Sequence, residues 1–561
     1  MAKAKKIRDP LYNYIALEHP FMRLVNTPEF QRLRNIRQTS YEALYPSALH
    51  NRFVHSLGVF YLGHKAIDYF WSNASDALSD GFRARLAGPE GQTGEWARIR
   101  KTFLYACLLH DVGHSPFSHT GERYYTKGVS FEDELEKTVC GCKDLEKHKK
   151  QKNYRGEQFC HDMDHSDVAP GAPHEAMSAL IGLDLCEKHG IEIDRELFVR
   201  CIIGVKYQQS SDKTQEETAF LNAVVGLLNG ALIDVDKLDY TIRDSYVTGY
   251  NSLSIDLDRL LAGYTLYREN NEYHAGYKKG SLSVIENVIY ANDLERRWIQ
   301  NHPTVLYDNQ LVDTLLGRFD SYMRSKCRKK STRKKALGTV FTKQSLSQEG
   351  MAELDPPLKL LNDADILAYI KNVDTSEAAR QYLNRAERLK PLWKTEAAFT
   401  PLSKDFGPDL LRDIQNDFKS FLDIIQGRGE SFINEETLAF LNERFKAHKK
   451  RDDLQALHIC NIFQCFQDEN KLPDFEFMLI QTKRFRSSYL KLRAEGEPVK
   501  VELDTGYFPL EEVMSVQAKE SAANIDKDFF CVYTTKKNIQ SQKDLGVKFF
   551  DCLRRNYRRA R

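Results

Sequence analysis

The densest run of chemistry-bearing residues is Leu108-Leu109-His110-Asp111-Val112-Gly113-His114-Ser115-Pro116-Phe117-Ser118-His119. It follows an apolar stretch and ends in Gly and Pro breakers. His110 and His114 are spaced to lie one turn apart on one helical face, with Asp111 the adjacent carboxylate. Imidazole and carboxylate together suit a divalent transition metal. Taken alone, a capped helix end with hydrogen-bonded core histidines explains the run equally well. Three distant blocks shift the balance toward a metal: His55 in HNRFVHSLGV, the pair His174-Glu175, and Asp236 in LIDVDKLDYTIRDSY. In the last of these, Lys237, Tyr240 and Asp244 fall at i, i+3 and i+7. One helical face therefore offers a cation, a phenol and a carboxylate, a set able to grip a phosphorylated sugar. A solvated helix with local ion pairs, Asp239 with Arg243 foremost, is the competing reading. The apolar Ile233, Val235 and Leu238 argue for partial burial, where unpaired charge is costly.

The elements that must carry these residues read as mostly helical. Apolar residues recur at helical spacing over Trp96 to Leu109, Glu175 to Cys186 and Phe220 to Asp244, and strand-like alternation is scarce between about 28 and 300. The polar segment from about 127 to 173 reads as a long insertion or loop. Its Cys140, Cys142, Cys160, His161 and His165 depart from the usual spacing of structural zinc ligands, so a plain loop is expected over a zinc site. Arg324 to Lys335, RSKCRKKSTRKK, is too charged for a core and reads as a linker or solvated strip. Further on, Asp409 to Ile425 and Glu435 to Phe445 look helical, while VKVEL (Val499 to Leu503) and DFFCVYTT (Asp528 to Thr535) look like strands. The predicted order is an N-terminal arm over 1–27, a catalytic domain over 28–323, a basic strip over 324–340 and an α+β region over 341–561.

Composition narrows the class. The chain has 561 residues, 42% hydrophobic and 29% charged, enough for a large core and a second region. No apolar run is long enough to span a bilayer, and MAKAKKIRDP lacks the apolar stretch of a secretory signal, so a cytoplasmic protein is expected. Eleven irregularly spread cysteines fit reduced thiols better than a disulfide framework. A net charge of +2 gives no global field for a polyanion. Aromatics interleaved with the basic strip are few, so there and in the C-terminal RRNYRRAR nucleic acid is not the favoured partner.

In this order and spacing, the blocks FQRLRNIRQ (Phe30 to Gln38), HNRFVHSLGV, LLHDVGHSPFSH, His174-Glu175 and DVDKLDY resemble the HD-domain deoxynucleotide triphosphohydrolases, the family of bacterial dGTPases and of a vertebrate dNTPase. The resemblance covers about residues 28 to 250. It implies a mostly α-helical HD-domain fold with a smaller mixed α+β C-terminal region. It further implies that His55, His110, Asp111 and Asp236 bind a divalent metal ion, such as Mn, Fe, Mg or Zn. His119, supported by Glu122, would protonate the leaving 5′-oxygen, while His114, His174 and Arg52 would contact phosphates. Lys237 and Tyr240 would bind the phosphate chain, and Gln38 with Asp244 would read the sugar 3′-hydroxyl. The implied reaction is metal-dependent hydrolysis of deoxynucleoside triphosphates to deoxynucleoside and triphosphate, in a homo-oligomer with an allosteric nucleotide between subunits. The alternative is an HD phosphodiesterase or nuclease acting on nucleic acid, cyclic nucleotides or another nucleotide ester. Where that family often has leucine after the glutamine of the first block, this chain has Thr39, and the family's sugar-covering tyrosine aligns near Ile299.

Overall fold

Four helix termini decide where the chemistry-bearing side chains can stand. Asn51 caps the helix Arg52–Ala74 by accepting a hydrogen bond from the Val54 amide, 3.2 Å, so His55 enters in its first turn. The helix Glu95–Leu109 is buried along its whole C-terminal half, from Thr102 to Leu109, and delivers His110 at its end. Pro173 opens the helix Pro173–Lys188, where a proline costs no hydrogen bond, and places His174 next to it. Asp234 caps the helix Val235–Thr248 by accepting from the Lys237 amide, 2.7 Å, which puts Asp236 in the first turn.

The structure, a computed structural model, describes residues 4–88, 94–125, 130–142, 145–149, 156–165, 171–209, 213–230, 233–250, 254–327, 338–482, 499–514 and 529–559. It is mostly α-helical with small sheets. Two compact units interleave along the chain rather than meeting at one linker. The first comprises 1–295, 323–365 and 486–525, the second 296–322, 366–485 and 526–561.

In the first unit the helices Arg52–Ala74, Glu95–Leu109, Arg195–Ile203 and Gln215–Leu228 pack around a core that includes Phe70, Phe103, Leu108, Phe198 and Phe220, each essentially inaccessible. The expected Phe220-to-Asp244 helix is two helices, divided after Leu228. An N-terminal hairpin pairs Lys5–Asp9 with Asn13–Leu17, burying Ile15 and Leu17. A second hairpin, Tyr264–Glu269 with Glu272–Tyr277, lies where strand-like alternation looked scarce, and Lys500–Leu503 and Gly506–Pro509 extend it to four strands.

The segment expected as a loop contains the helices Phe131–Cys140 and Glu157–Asp164. The reason is tertiary: Leu135, Val139, Phe159 and Cys160 are buried, and Asp162 reaches a fully buried Arg200 at 2.8 Å. That pairing spans 38 positions, which no local pattern reveals. Residues 328–337 of the basic strip and 560–561 at the C-terminus lie outside the described residues.

The second unit holds a four-stranded sheet in the order Lys390–Pro391, Phe530–Thr534, Phe477–Gln481 and Phe432–Ile433. The helices Pro408–Gly427, Arg451–Glu469 and Leu545–Arg559 accompany it, with Phe418, Phe463, Phe530 and Phe549 buried. Both expected strands are present, as Lys500–Leu503 and Phe530–Thr534. Among the described residues no helix is long and apolar enough to cross a membrane.

Candidate metal centre

His55 and His110 turn their Nε2 atoms toward each other. The Nδ1 of His110 donates to the Cys107 carbonyl at 2.9 Å, and the Nδ1 of His55 donates to Asp239 Oδ2 at 2.7 Å. Each ring's proton is thereby committed away from its partner, leaving two Nε2 atoms 3.4 Å apart. Carboxylates close the group: Asp236 Oδ1 is 2.9 Å from His55 Nε2 and 3.6 Å from His110 Nε2, and Asp111 stands 3.6 and 3.5 Å from the same two atoms. Lone pairs and carboxylates converging in a buried place call for a cation. The same pull toward positive charge shows in His55 itself, whose pKa Asp236 and Asp239 raise to about 9 against the effect of burial. Two imidazoles and two carboxylates, with a histidine whose second nitrogen is fixed by a further carboxylate, match a divalent transition metal.

A second cluster adjoins the first. The helix ends at Leu109, so His114 is not one turn along from His110 on the same helix, as its spacing predicts. A turn closed by the His114 amide on the Asp111 carbonyl, 3.0 Å, carries it to His119, Glu122 and His174 instead. Its ring stacks on His174 with centroids 4.0 Å apart. Burial, with Arg52 and His174 nearby, keeps His114 well below the usual histidine value, so it is neutral. His174 is the opposite case: burial pulls it down, but Glu122, whose Oε1 is 3.1 Å away, holds it up at about 9. Glu122 also binds His119 Nδ1 at 2.5 Å, while the His119 ring is 64% exposed. Arg52 links the clusters, donating to Asp111 Oδ2 at 2.9 Å and lying 3.4 Å from His119 Nε2.

The remaining candidates are engaged elsewhere. Lys237 Nζ bonds the Gly230 carbonyl at 2.7 Å and Asp234 at 2.5 Å, turned back on its own helix start. Tyr240 is half-buried. Asp244 is buried and pairs with His50 Nε2 at 2.6 Å. Lys237 and Asp244, seven positions apart on one helix, thus each take a partner within the protein. Gln38 is buried, and among the described residues its Oε1, the Thr39 Oγ1 and the His50 Nδ1 have no hydrogen-bond partner. Glu175 is structural, accepting from the Ala172 amide at 2.6 Å and from Asn229 at 3.1 Å. Ile299, where the family's sugar-covering tyrosine aligns, is fully buried.

Sequence reasoning passed over His50, Asp239 as a buried partner, and Asp363, whose carboxylate accepts from the Arg37 and Phe117 amides at 3.0 and 2.8 Å. His50 begins a motif block and Asp239 lies one turn beyond Asp236, so both had a local signal; Asp363 had none. The Asp239–Arg243 pair is formed, but buried rather than solvated. In the insertion, Cys140 and Cys160 bring their sulfurs to 3.8 Å, and His161 stacks on His165. No group of three metal-ligating atoms forms there among the described residues.

Residues 52–194 match the HD domain family. A deoxynucleoside triphosphate triphosphohydrolase SAMHD1 homolog of Dictyostelium discoideum is 29% identical over 262 residues, 46% of this chain and 39% of its own length. The deoxynucleoside triphosphate triphosphohydrolase SAMHD1 of Xenopus laevis is 25% identical over 326 residues, 56% of this chain and 45% of its own. An uncharacterized protein of Methanocaldococcus jannaschii is 26% identical over 315 residues, 56% and 49% respectively. The chain thus spans about half, or less, of the length of these curated relatives. A solved structure of a hypothetical protein from Aquifex aeolicus matches 97% of this chain and 100% of its own with a TM-score of 0.52 at 17% identity, a likeness of fold alone.

Proposed function

From the premise that this chain carries an HD domain, we propose that it is a metal-dependent phosphohydrolase that cleaves deoxynucleoside triphosphates to deoxynucleoside and triphosphate. The observation that carries this reading is a histidine–carboxylate pair, His119 with Glu122, standing beside the His55–His110–Asp111–Asp236 group and joined to it through Arg52. His55, His110, Asp111 and Asp236 would hold a divalent cation, which as a Lewis acid would lower the pKa of water towards about 7 and polarise a phosphoryl oxygen.

The chain's own groups do the rest. Arg52 and protonated His174 offer positive charge to phosphate oxygens, His114 presents an uncharged ring stacked on His174, and Glu122 fixes the His119 tautomer. Attack of water at the α-phosphorus breaks its bond to the 5′-oxygen, and His119 gives that oxygen its proton. Triphosphate leaves in one piece. Substrate identity draws on the likeness to the Dictyostelium and Xenopus triphosphohydrolases. Sugar reading by Gln38 and Asp244, and phosphate binding by Lys237 and Tyr240, belong to the same reading and require Lys237 to leave Asp234. So do a cytoplasmic location, a homo-oligomer and nucleotide regulation; light scattering with and without dNTPs is expected to show assembly.

Incubation with each dNTP and manganese, followed by anion-exchange chromatography, is expected to yield triphosphate and deoxynucleoside in equal amounts. Cutting of oligonucleotides or cyclic nucleotides with no triphosphate released would overturn the reading in favour of a different HD phosphoesterase.

A further inference from the structure

Asp239 is a fully engaged carboxylate beside the centre, and one of its four donors, together with the carboxylate that holds Arg243, comes from the N-terminal hairpin. Its Oδ2 accepts from His55 Nδ1 at 2.7 Å and from Arg243 Nε at 2.9 Å. Its Oδ1 accepts from Arg243 Nη2 at 2.9 Å and from the Tyr12 hydroxyl at 2.8 Å. Four donors fill the oxygens of a fully buried carboxylate, so the group is fixed in rotation. The Arg243 guanidinium turns its remaining edge to Asp9 Oδ2 at 3.0 Å.

The hairpin is shaped for this. Asp9 Oδ1 accepts from the Leu11 and Tyr12 amides at 2.8 and 3.1 Å, closing a turn that ends at Asn13 with φ of 60°. One aspartate therefore folds the turn with one oxygen and holds Arg243 with the other. The Tyr12 ring stacks on Tyr61 of the His55 helix, centroids 4.7 Å apart, which sets the hydroxyl's direction. Space is shaped too: a Cβ on Gly58 would sit 1.9 Å from Asp239 Oδ1, so only glycine lets the carboxylate stand between the helices.

We propose that the N-terminal hairpin turn is a positioning element of the metal centre, with Asp9 and Tyr12 orienting Asp239 and, through it, His55. Asp9 and Tyr12 are positioning residues: they reach the ligand only through Asp239, and they set the ring's tautomer and angle. The inference rests on the reading of His55 as a metal ligand.

Manganese binding to the full chain by isothermal titration calorimetry tests it. Partners at this remove from a metal typically govern affinity by about 10- to 100-fold. Tyr12→Phe keeps the ring and its stacking and removes only the hydroxyl, and is expected to weaken binding about tenfold. Asp9→Asn is expected to weaken it at least as much. In an Asp239→Asn background the Tyr12→Phe effect is expected to vanish, as coupling through that carboxylate requires. Unfolding of the chelated variants reports any purely structural loss; if Asp9→Asn does not fold, the isosteric Tyr12→Phe carries the test. An affinity unchanged within twofold in Tyr12→Phe, or an undiminished effect in the Asp239→Asn background, overturns this inference alone. Absence of stoichiometric binding by the wild-type chain overturns the His55 reading and this one together.

Discussion

His119 and His174 share Glu122 but face different environments, and the difference predicts different chemistry. His119 is exposed and oriented by the carboxylate, the condition of a proton donor, whereas His174 is buried and held charged. His119→Ala is expected to leave manganese stoichiometry unchanged by elemental analysis and to cut triphosphate release about 10²- to 10⁴-fold. Metal loss in that variant would place His119 among the ligands. For stability, His174 is raised from 6.5 to about 9, so its contribution is complete below about 6.5 and is lost as pH rises through about 9. Glu122 is shifted the other way, burial being outweighed by His174 and His119, so its contribution is present above 4.5 and lost in acid. Urea unfolding of the chelated protein is expected to show stability falling through about pH 9, where His174 and His55 both lose a proton, with the His174 share of the fall displaced toward 6.5 in Glu122→Gln. An alkaline limb that does not move would assign the transition to another group.

At the scale of elements, the close approach of Arg52–Ala74 to Val235–Thr248 is set by Gly58. Alanine there gains about 1 kcal/mol of helix propensity. It also drives a methyl into a carboxylate held by His55, Tyr12 and Arg243, at a cost of about 1–3 kcal/mol or more. The clash wins because Asp239 has nowhere to rotate, so Gly58→Ala is expected to lower the urea midpoint and weaken manganese binding together. The insertion makes a second case. Arg200 pairs with Asp162 at 2.8 Å and its guanidinium lies 3.9 Å over Tyr207, all inside the core. Arg200→Leu strands a buried carboxylate, an effect of about 3–5 kcal/mol, and is expected to open 130–165 to limited proteolysis before the rest of the chain. A cleavage pattern identical to wild type would show that apolar packing alone holds those helices.

For the whole molecule, the first unit concentrates Asp111, Asp236 and Asp239 around two histidines, so a bound cation stabilises the fold by mass action. Manganese at a hundredfold over its dissociation constant is expected to add about 2.7 kcal/mol to the unfolding free energy, reversed by a chelator and restored by readdition. The same unit draws in chain far from its motifs: Arg32 donates to the Leu361 carbonyl at 2.7 Å, and Asp363 holds the Arg37 and Phe117 amides. A fragment ending at 327 leaves those donors without their partners and is expected to melt without a cooperative transition by circular dichroism, whereas the full chain melts cooperatively.

Where a residue's role depends on neighbours within a helical turn, the sequence alone determined it. Asn51, Asp234 and Pro173 begin helices because capping and φ restriction are local, and these starts put His55, Asp236 and His174 at helix ends. The types of the metal-binding set are likewise legible, because two imidazoles and two carboxylates are chemistry before they are geometry. What only the tertiary structure decided is which partner each group takes. His114 leaves the His110 helix because that helix stops at Leu109, and Asp244 takes His50. Tyr12 reaches Asp239 and Asp9 reaches Arg243 across more than 220 positions, and Asp162 finds Arg200 from a segment that reads as an insertion or loop. These pairings arise because a buried charge must find its opposite wherever the fold puts it, and sequence spacing carries no record of that distance.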